Sequence, residues 1–319
     1  MKYCLYGTVY NNVNTVEKAI ESVYDAIFDQ IVITDNFSND GTYEKLIKMK
    51  KDYNLKIYRL KSSRGLGMAY SLKKCPNNSL TAYIHLDVIY NNMLIKIMET
   101  ELSKVIISNI FQWSYVAKKE EIINKGNWRD LQAAEEMDLI SRVGIDYSIP
   151  IVIGYNASWK MKDSERRYSN GFFNYVKRKY RIYLDHIRGN GISKNYLKLK
   201  IKNDNENKEM LYKLISPVFW NILFKISDLY GKYHNHVIPN DLYVYLNIYK
   251  KIIDPKDVGL NNEKFMAYSP KKIYGIDFIT YADNEIKKKI SNIKCDYINN
   301  NVKIYYINNN VKIYYNLST

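Results

Sequence analysis

Between Met1 and Tyr90 the chain alternates short β-branched and aromatic runs with segments of helical hydrophobic period, and this alternation restricts the fold more than any other feature. KYCLYGTVY reads as a strand. NTVEKAIESVYDAIF reads as a helix with Asn14 as N-cap and Val16, Ile20, Val23 and Ile27 along one face. QIVITD is a short buried strand, NFSNDG a turn, TYEKLIKMKKDY a second helix and LKIYRL a third strand. GMAYSLKKC is a short helix, and LTAYIHLDVIY is a fourth strand. Strands separated by helices of this length predict an α/β fold with a parallel, helix-covered sheet, in which ligands collect beyond the carboxyl ends of the strands. Asp35 and Asp87 both fall at such ends.

At 319 residues, 46% of them apolar, the chain can bury one large core or two smaller ones, which excludes general disorder. Met1 to Tyr10 runs directly into a strand-like segment, so a cleaved leader is not expected. LISPVFWNILFKISDLY, Leu214 to Tyr230, comes nearest to a membrane span but is interrupted by Lys225 and Asp228 and has Pro217 near its start. It reads as a buried helix, with a helix lying on a membrane surface as the alternative. Cys4, Cys75 and Cys295 are odd in number and lack metal-ligand spacing, which predicts a reduced chain and a cytoplasmic location. The net charge of +15 favours an anionic partner: nucleic acid, acidic lipid or a phosphorylated small molecule.

Residues 120–144 read as a loop followed by an acidic helix, and beyond Gly154 the alternation weakens. SERRYSNGFFNYVKRKYRIYLDHIRGNG reads as a basic, aromatic helix closed by Gly189 and Gly191. The chain from NDNENKEM onward reads as mainly helical, with Asn203 to Lys208 as a candidate linker. YINNNVKIY occurs twice in tandem near the end, at Tyr297 to Tyr305 and Tyr306 to Tyr314. Two copies are too few for a solenoid and predict two short strands or a hairpin, whose apolar edge would favour self-association. These patterns divide the chain into residues 1–160, a binding and catalytic domain, and 161–319, a mainly helical extension.

Three polar stretches carry candidate chemistry. In ITDNFSNDGT, Asp35 leaves a strand end, where a carboxylate can accept a hydrogen bond from a base N–H, while Ser38 to Asp40 and Thr42 satisfy a turn and a helix start. In SRGLG, the Arg64 guanidinium can bond phosphate or ribose oxygens and Gly65 permits close backbone approach; the same residues suit a plain loop before a helix. In GNWRDLQAAEEMDLISR, Glu135, Glu136 and Asp138 lie close together, and Asp138 and Arg142 have the spacing of a helix salt bridge.

TVYNNVNTVEKAIESV, ITDNFSNDGT, SRGLGMAYSL, YIHLDVIYN and GNWRDLQAAEEMDLISR occur in that order, and together they resemble the family 2 glycosyltransferases of the GT-A fold over roughly residues 1–150. The resemblance implies a mixed, mostly parallel sheet flanked by helices, to which the mainly helical C-terminal extension read above is added. It also implies inverting transfer of a sugar from a UDP-, GDP- or dTDP-sugar to an acceptor hydroxyl, with a divalent Mg²⁺ or Mn²⁺ expected at the donor diphosphate. By the same resemblance Thr8 and Tyr10 hold the base, Asp35 contacts it, and Arg64 and Gly65 approach the nucleotide. Asn36 stands where the family has a second acid. YIHLDVIYN aligns in two registers, with Asp87 as the first acid of a DxD pair opposite Ile89 or as the second opposite His85. The second is preferred because Val88, Ile89 and Tyr90 continue as the family does. Asp87 with His85 is then the implied metal site, and His85 suits Mn²⁺ better than Mg²⁺; by itself His85 equally reads as a partly buried, hydrogen-bonded histidine. Glu136 matches the catalytic base, one methylene longer than the usual Asp, with Glu135 and Asp138 beside it. Trp128 and Arg129 read as an acceptor floor, or Trp128 as core.

The acceptor expected is a glycan, a lipid-linked sugar or a protein. The basic stretch from Arg166 to Arg188 has three readings: a solvated helix, a holder of donor phosphates or a lipid-phosphate acceptor, and a contact to an anionic membrane surface. No nucleic-acid module accompanies it, so no nucleic-acid partner is expected. Two alternatives differ in class: a nucleotidyltransferase on the same architecture, and a non-catalytic nucleic-acid or membrane binder.

Overall fold

The computed structural model describes residues 1–107, 113–157, 171–205, 209–260, 272–273, 276–277, 282–292, 302–307 and 310–315. The chain opens with β1 (Lys2–Val9), α1 (Val16–Val23), β2 (Gln30–Asp35), α2 (Thr42–Met49), β3 (Leu55–Arg59), α3 (Arg64–Lys74) and β4 (Ser79–Tyr83). The strands lie parallel in the order β3-β2-β1-β4, with Tyr6 opposite Val32 on one side and Tyr83 on the other. Successive side chains of a strand point to opposite faces. Cys4 and Tyr6 therefore join one core while Leu5 and Val9 join the other, which is why β1 reads as a nearly unbroken apolar run.

Two early elements differ from expectation. Thr15, not Asn14, occupies the N-cap position of α1, without a side-chain capping bond, and the helix stops at Val23, after which Asp25 Oδ1 accepts the Ile27 N–H and turns the chain. Helix α3 begins three residues before Gly67, because Ser63 Oγ accepts the Leu66 N–H and supplies an N-cap upstream.

The run expected as a fourth strand is broken. After β4 ends at Tyr83, the Ile84 N–H still donates to the Tyr6 carbonyl, and then the chain leaves the sheet. It resumes as β5 (Val88–Tyr90), outside the main sheet. His85 and Asp87 thus sit on a connection rather than on one strand face, and the Tyr90 hydroxyl accepts the His85 N–H to hold that connection closed.

The sheet continues through α4 (Met93–Glu99), β6 (Val105–Ile107), β7 (Ser114–Lys118), α5 (Lys119–Asn124), α6 (Glu135–Val143), β8 (Tyr147–Ile149) and β9 (Gly154–Asn156). Strand β7 pairs antiparallel with β4 and β6, and β8 lies parallel to β6. The result is a mixed, mostly parallel seven-stranded sheet, β3-β2-β1-β4-β7-β6-β8, with β5 and β9 as a separate antiparallel ribbon.

Helices then dominate: α7 (Phe172–Asn190), α8 (Lys194–Asn205), α9 (Met210–Tyr230) and α10 (Asn240–Lys250). Two short strands follow, β10 (Lys272–Ile273) and β11 (Ile276–Asp277), then α11 (Asn284–Asn292). The tandem repeat forms an antiparallel hairpin of β12 (Val302–Ile307) and β13 (Asn310–Tyr315), one of the two arrangements expected. Helix α8 continues into the stretch expected as a linker, whose last residues, 206–208, lie outside the described residues. Leu184 and Ile187 of α7, Trp220 and Leu223 of α9, and Leu242 and Tyr249 of α10 join the same core as Cys4 and Tyr6.

Two further expectations are corrected. Cys4 and Cys75, separated by 71 residues, form a disulfide that ties the end of α3 to β1, so these cysteines are not reduced; Cys295 lies outside the described residues. Leu214 to Tyr230 is buried on one side only, because α9 carries apolar residues on its outer face as well.

Candidate active site

Beyond the carboxyl ends of β1 and β4 lies a cavity of about 660 Å³, within the range of small-ligand sites. Thr8, Val9 and Tyr10 line it from the end of β1, followed by Asn12, and Asn36 from the end of β2. Arg64 and Met68 enter from α3, His85, Leu86 and Asp87 from the connection after β4, Gln132 from the loop before α6, and Glu136 and Met137 from the first turn of α6. Trp113, Asn156, Arg178 of α7 and Tyr245 of α10 complete the wall.

Its charged centre is built by two helix starts. The Ser63 cap places Arg64 at the first position of α3. At the start of α6, Ala134 adopts a left-handed backbone with φ of 58°, a conformation costly for a residue with a side chain. That turn sends Glu135 and Glu136 into the first turn of the helix, where the macrodipole favours negative charge. Arg64 Nε lies 2.9 Å from Glu135 Oε1, and Nη2 lies 3.1 Å from both Glu136 Oε1 and His85 Nδ1.

An arginine only donates, so His85 Nδ1 accepts and the imidazole proton falls on Nε2, which faces Glu136 Oε1 at 3.4 Å. Burial pushes the Glu135 carboxyl up against the opposing charge of Arg64. Burial acts the same way on Glu136, but the His85 interaction and the Arg64 charge outweigh it, and Glu136 is held below the usual carboxylate range. Of the two, Glu135 is closed off and Glu136 reaches the cavity, with side chains 3% and 20% exposed. The arrangement presents an ionised, hydrogen-bonded carboxylate to an incoming proton donor.

The other expected residues divide. Thr8, Tyr10, Arg64, His85, Asp87 and Glu136 converge on the cavity. Asp138 is fully buried between Arg129 at 2.8 Å and Arg142 at 2.7 Å, and also accepts from Asn235, so it braces α6 and does not face the cavity. Asp35 accepts the Ser38 N–H and pairs with Arg59 at 3.2 Å, which fully buries it under its own turn. Its neighbour Asn36 lines the cavity instead, with Oδ1 accepting from Ser62 N–H. Gly65 serves packing: a Cβ there would stand 2.0 Å from the Arg129 carbonyl oxygen. Gly67, which the motif reading passed over, lies against the cavity wall, because its Cβ would stand 2.4 Å from Thr8 Oγ1. Trp128 is core, donating from Nε1 to the Tyr6 hydroxyl at 3.1 Å. Arg129 pairs with Asp138 and covers the Tyr233 ring.

Asp87 lines the cavity with a carboxylate, a group able to ligate a divalent metal. Asn156, brought alongside by the β5–β9 pairing, is a second oxygen donor on the same wall. Oxygen donors of this kind suit Mg²⁺ or Mn²⁺, whose remaining positions diphosphate oxygens and water can fill. Among the described residues no group of three or more His, Cys, Asp and Glu side chains gathers as a ready-made metal cage. His85 directs both ring nitrogens to Arg64 and Glu136.

Residues missed by motif reading are those contributed by distant parts of the chain. Trp113 and Tyr245 meet edge to face at 5.2 Å, and nothing in their local sequence marks them. Arg178 lies in the basic stretch for which phosphate binding was one of the readings.

The solved structures with similar folds include S. aureus TarS in complex with UDP-GlcNAc, at 11% identity over 99% of this chain and 97% of that one, TM-score 0.44. They also include the mannosyltransferase PcManGT from Pyrobaculum calidifontis in complex with GDP-Man and Mn²⁺, at 11% identity over 72% of this chain and 73% of that one, TM-score 0.41. A third is glucosyl-3-phosphoglycerate synthase from Mycobacterium tuberculosis in complex with Mn²⁺, UDP and glucosyl-3-phosphoglycerate, at 12% identity over 60% of this chain and 81% of that one, TM-score 0.42. Against another TarS structure this chain spans 42% of that chain's length. No curated protein matches the chain. Residues 8–120, from the end of β1 into α5, match the family model for glycosyl transferase family 2.

Proposed function

We propose that this protein transfers a sugar from a nucleoside-diphosphate sugar to an acceptor hydroxyl in one displacement, with inversion and with Glu136 as the base. The observation that carries this is the Arg64–His85–Glu136 cluster at the cavity wall, which keeps one carboxylate ionised and within reach of a bound hydroxyl. Among the described residues Glu136 and Asp87 are the carboxylates that line the cavity, and the reading gives them separate work.

The nucleotide lies along Thr8, Tyr10, Asn12 and Asn36, where polar groups at the strand ends meet its base and ribose. The acceptor enters from the side of Trp113, Met137 and Tyr245, whose apolar and aromatic surfaces suit the C–H faces of a sugar. Glu136 takes the hydroxyl proton as the oxygen attacks the anomeric carbon, and the bond from that carbon to the diphosphate oxygen breaks. A divalent metal bound at Asp87 would neutralise charge on the departing diphosphate. Arg178, on the cavity wall, adds a cation for the acceptor, suited to a phosphate carried by a lipid-linked one. UDP-, GDP- and dTDP-sugars all remain within this reading, as do glycan, lipid-linked and protein acceptors.

A thermal-shift panel of UDP-, GDP- and dTDP-sugars with Mg²⁺, Mn²⁺ or chelator tests the donor site, because a ligand that binds the folded state raises its apparent stability. At least one donor should raise the midpoint, and more so with metal. Unchanged midpoints across the whole panel would sink the donor-site reading.

A further inference from the structure

Helix α9 is amphipathic in an unusual sense. Ser216, Trp220, Leu223 and Ser227 face the protein and are buried. Leu214 at 64% exposure, Val218 at 60%, Ile222 at 53% and Leu229 at 87% run along the outside at helical spacing. The neighbouring α7 adds Phe172 at 75%, Phe173 at 86% and the exposed Val176. Tyr183 of α7 packs edge-on against Phe219 and Trp220, and Arg188 Nε donates to the Gly231 carbonyl at 3.0 Å. The two helices therefore lie side by side with their C-terminal ends together, and Phe172 and Phe173 of α7 fall at the same end as Leu214 and Val218 of α9. Scattered exposed apolar residues are ordinary, but a contiguous face across two helices marks a contact surface.

Charge decides what covers it. Lys177 of α7, Lys198 and Lys202 of the adjacent α8, and Lys213 and Lys225 of α9 are all exposed. Between Phe172 and Tyr230 the sequence holds twelve Lys and Arg against five Asp and Glu, within a chain of net charge +15. A second copy would bring the same cations against themselves, whereas an anionic lipid surface satisfies both the apolar face and its rim. No helix among the described residues is long and apolar enough to cross a membrane, so the contact is one of lying on the surface.

We propose that α7 and α9 form a docking face for an anionic membrane, with Leu214, Val218, Ile222, Phe172 and Phe173 in the headgroup–acyl boundary and the lysines against the headgroups. Helix α7 also carries Arg178, six residues from Phe172 and so about 9 Å further along the helix axis, which brings the cavity wall close to the lipid surface. The proposal goes beyond sugar transfer and stands independently of it.

The test is flotation of the whole protein with phosphatidylcholine vesicles and with phosphatidylcholine–phosphatidylglycerol vesicles. It compares the native chain with Val218→Glu/Ile222→Glu and with Lys213→Glu/Lys225→Glu; all four positions are exposed, and circular dichroism checks that folding persists. The native protein should float with the anionic vesicles roughly tenfold more strongly than with the neutral ones, and either double variant should lose roughly tenfold of that binding. Three results overturn the proposal: no flotation of the native protein with anionic vesicles, undiminished binding by the Val218→Glu/Ile222→Glu variant, or a native dimer by light scattering that this variant converts to monomer.

Discussion

The two halves of the molecule build one cavity from different materials. The first half supplies strand ends and helix starts: Thr8, Tyr10, Asn36 and Arg64 arrive there because the chain must turn at those points, and their positions follow from local structure. The second half supplies single long side chains, Arg178 and Tyr245, from the flanks of helices whose main contribution is apolar packing. Chemistry carried by strand ends comes with the fold, whereas chemistry carried by helix flanks can change without disturbing it. On the proposed reading, the donor step then rests on the first half, and Arg178 and Tyr245 of the second half close the acceptor side against Trp113 and Met137.

That division can be broken at several points. The largest effect belongs to Glu136→Gln, which keeps the shape but cannot accept a proton: turnover should fall about 10²–10⁴-fold while donor affinity stays unchanged in a titration. Next come Arg178→Ala and Tyr245→Ala. Each should raise the acceptor KM by roughly tenfold, the scale of one lost ion contact or aromatic pair, with donor affinity intact. A loss of donor affinity instead would dissolve the distinction between the halves.

Gly67→Ala probes the first half alone. Its new methyl would press on Thr8 Oγ1, costing about 1–3 kcal/mol of stability by denaturant titration and weakening donor binding more than acceptor binding.

The smallest effect is on pH dependence. Because Glu136 is held below the ordinary carboxylate range, activity should persist as pH falls through that range and decline only below it. The sign for stability is the same: an acid depressed in the folded state contributes above its unfolded pKa, and that contribution is lost as pH falls through the folded value. His85→Ala removes one of the groups that lower Glu136, so the acid limb of the rate profile should move to higher pH. An unmoved limb would mean that His85 is mere packing.

The sequence made the layered sheet legible because each strand and helix up to α3 carries its own period and punctuation. It hid the break after Tyr83, since Ile84, Leu86 and Val88 continue the apolar pattern while the backbone leaves the sheet. The site was readable where a residue's role is local, as with Arg64 at a helix start and Glu136 in a helix first turn. Partners from afar misled the reading elsewhere. Asp35 looked available until Arg59 and the Ser38 amide occupied it, and Asp138 until Arg129 did, 24 residues away for the first pair and nine for the second. The Cys4–Cys75 bond escaped for the same reason, because its separation of 71 residues has no local signature. Helix α9 misled by composition, since hydropathy measures how apolar a helix is and not which side of it meets the protein.

The central claim is that Glu136 drives a single displacement at the anomeric carbon, and NMR of donor turnover reads it most directly. With an accepted nucleotide sugar, the account predicts nucleoside diphosphate and a product of inverted anomeric configuration from the native protein, and both slowed about 10²–10⁴-fold in Glu136→Gln. Release of inorganic diphosphate, a product with retained configuration, or full turnover by Glu136→Gln would contradict it.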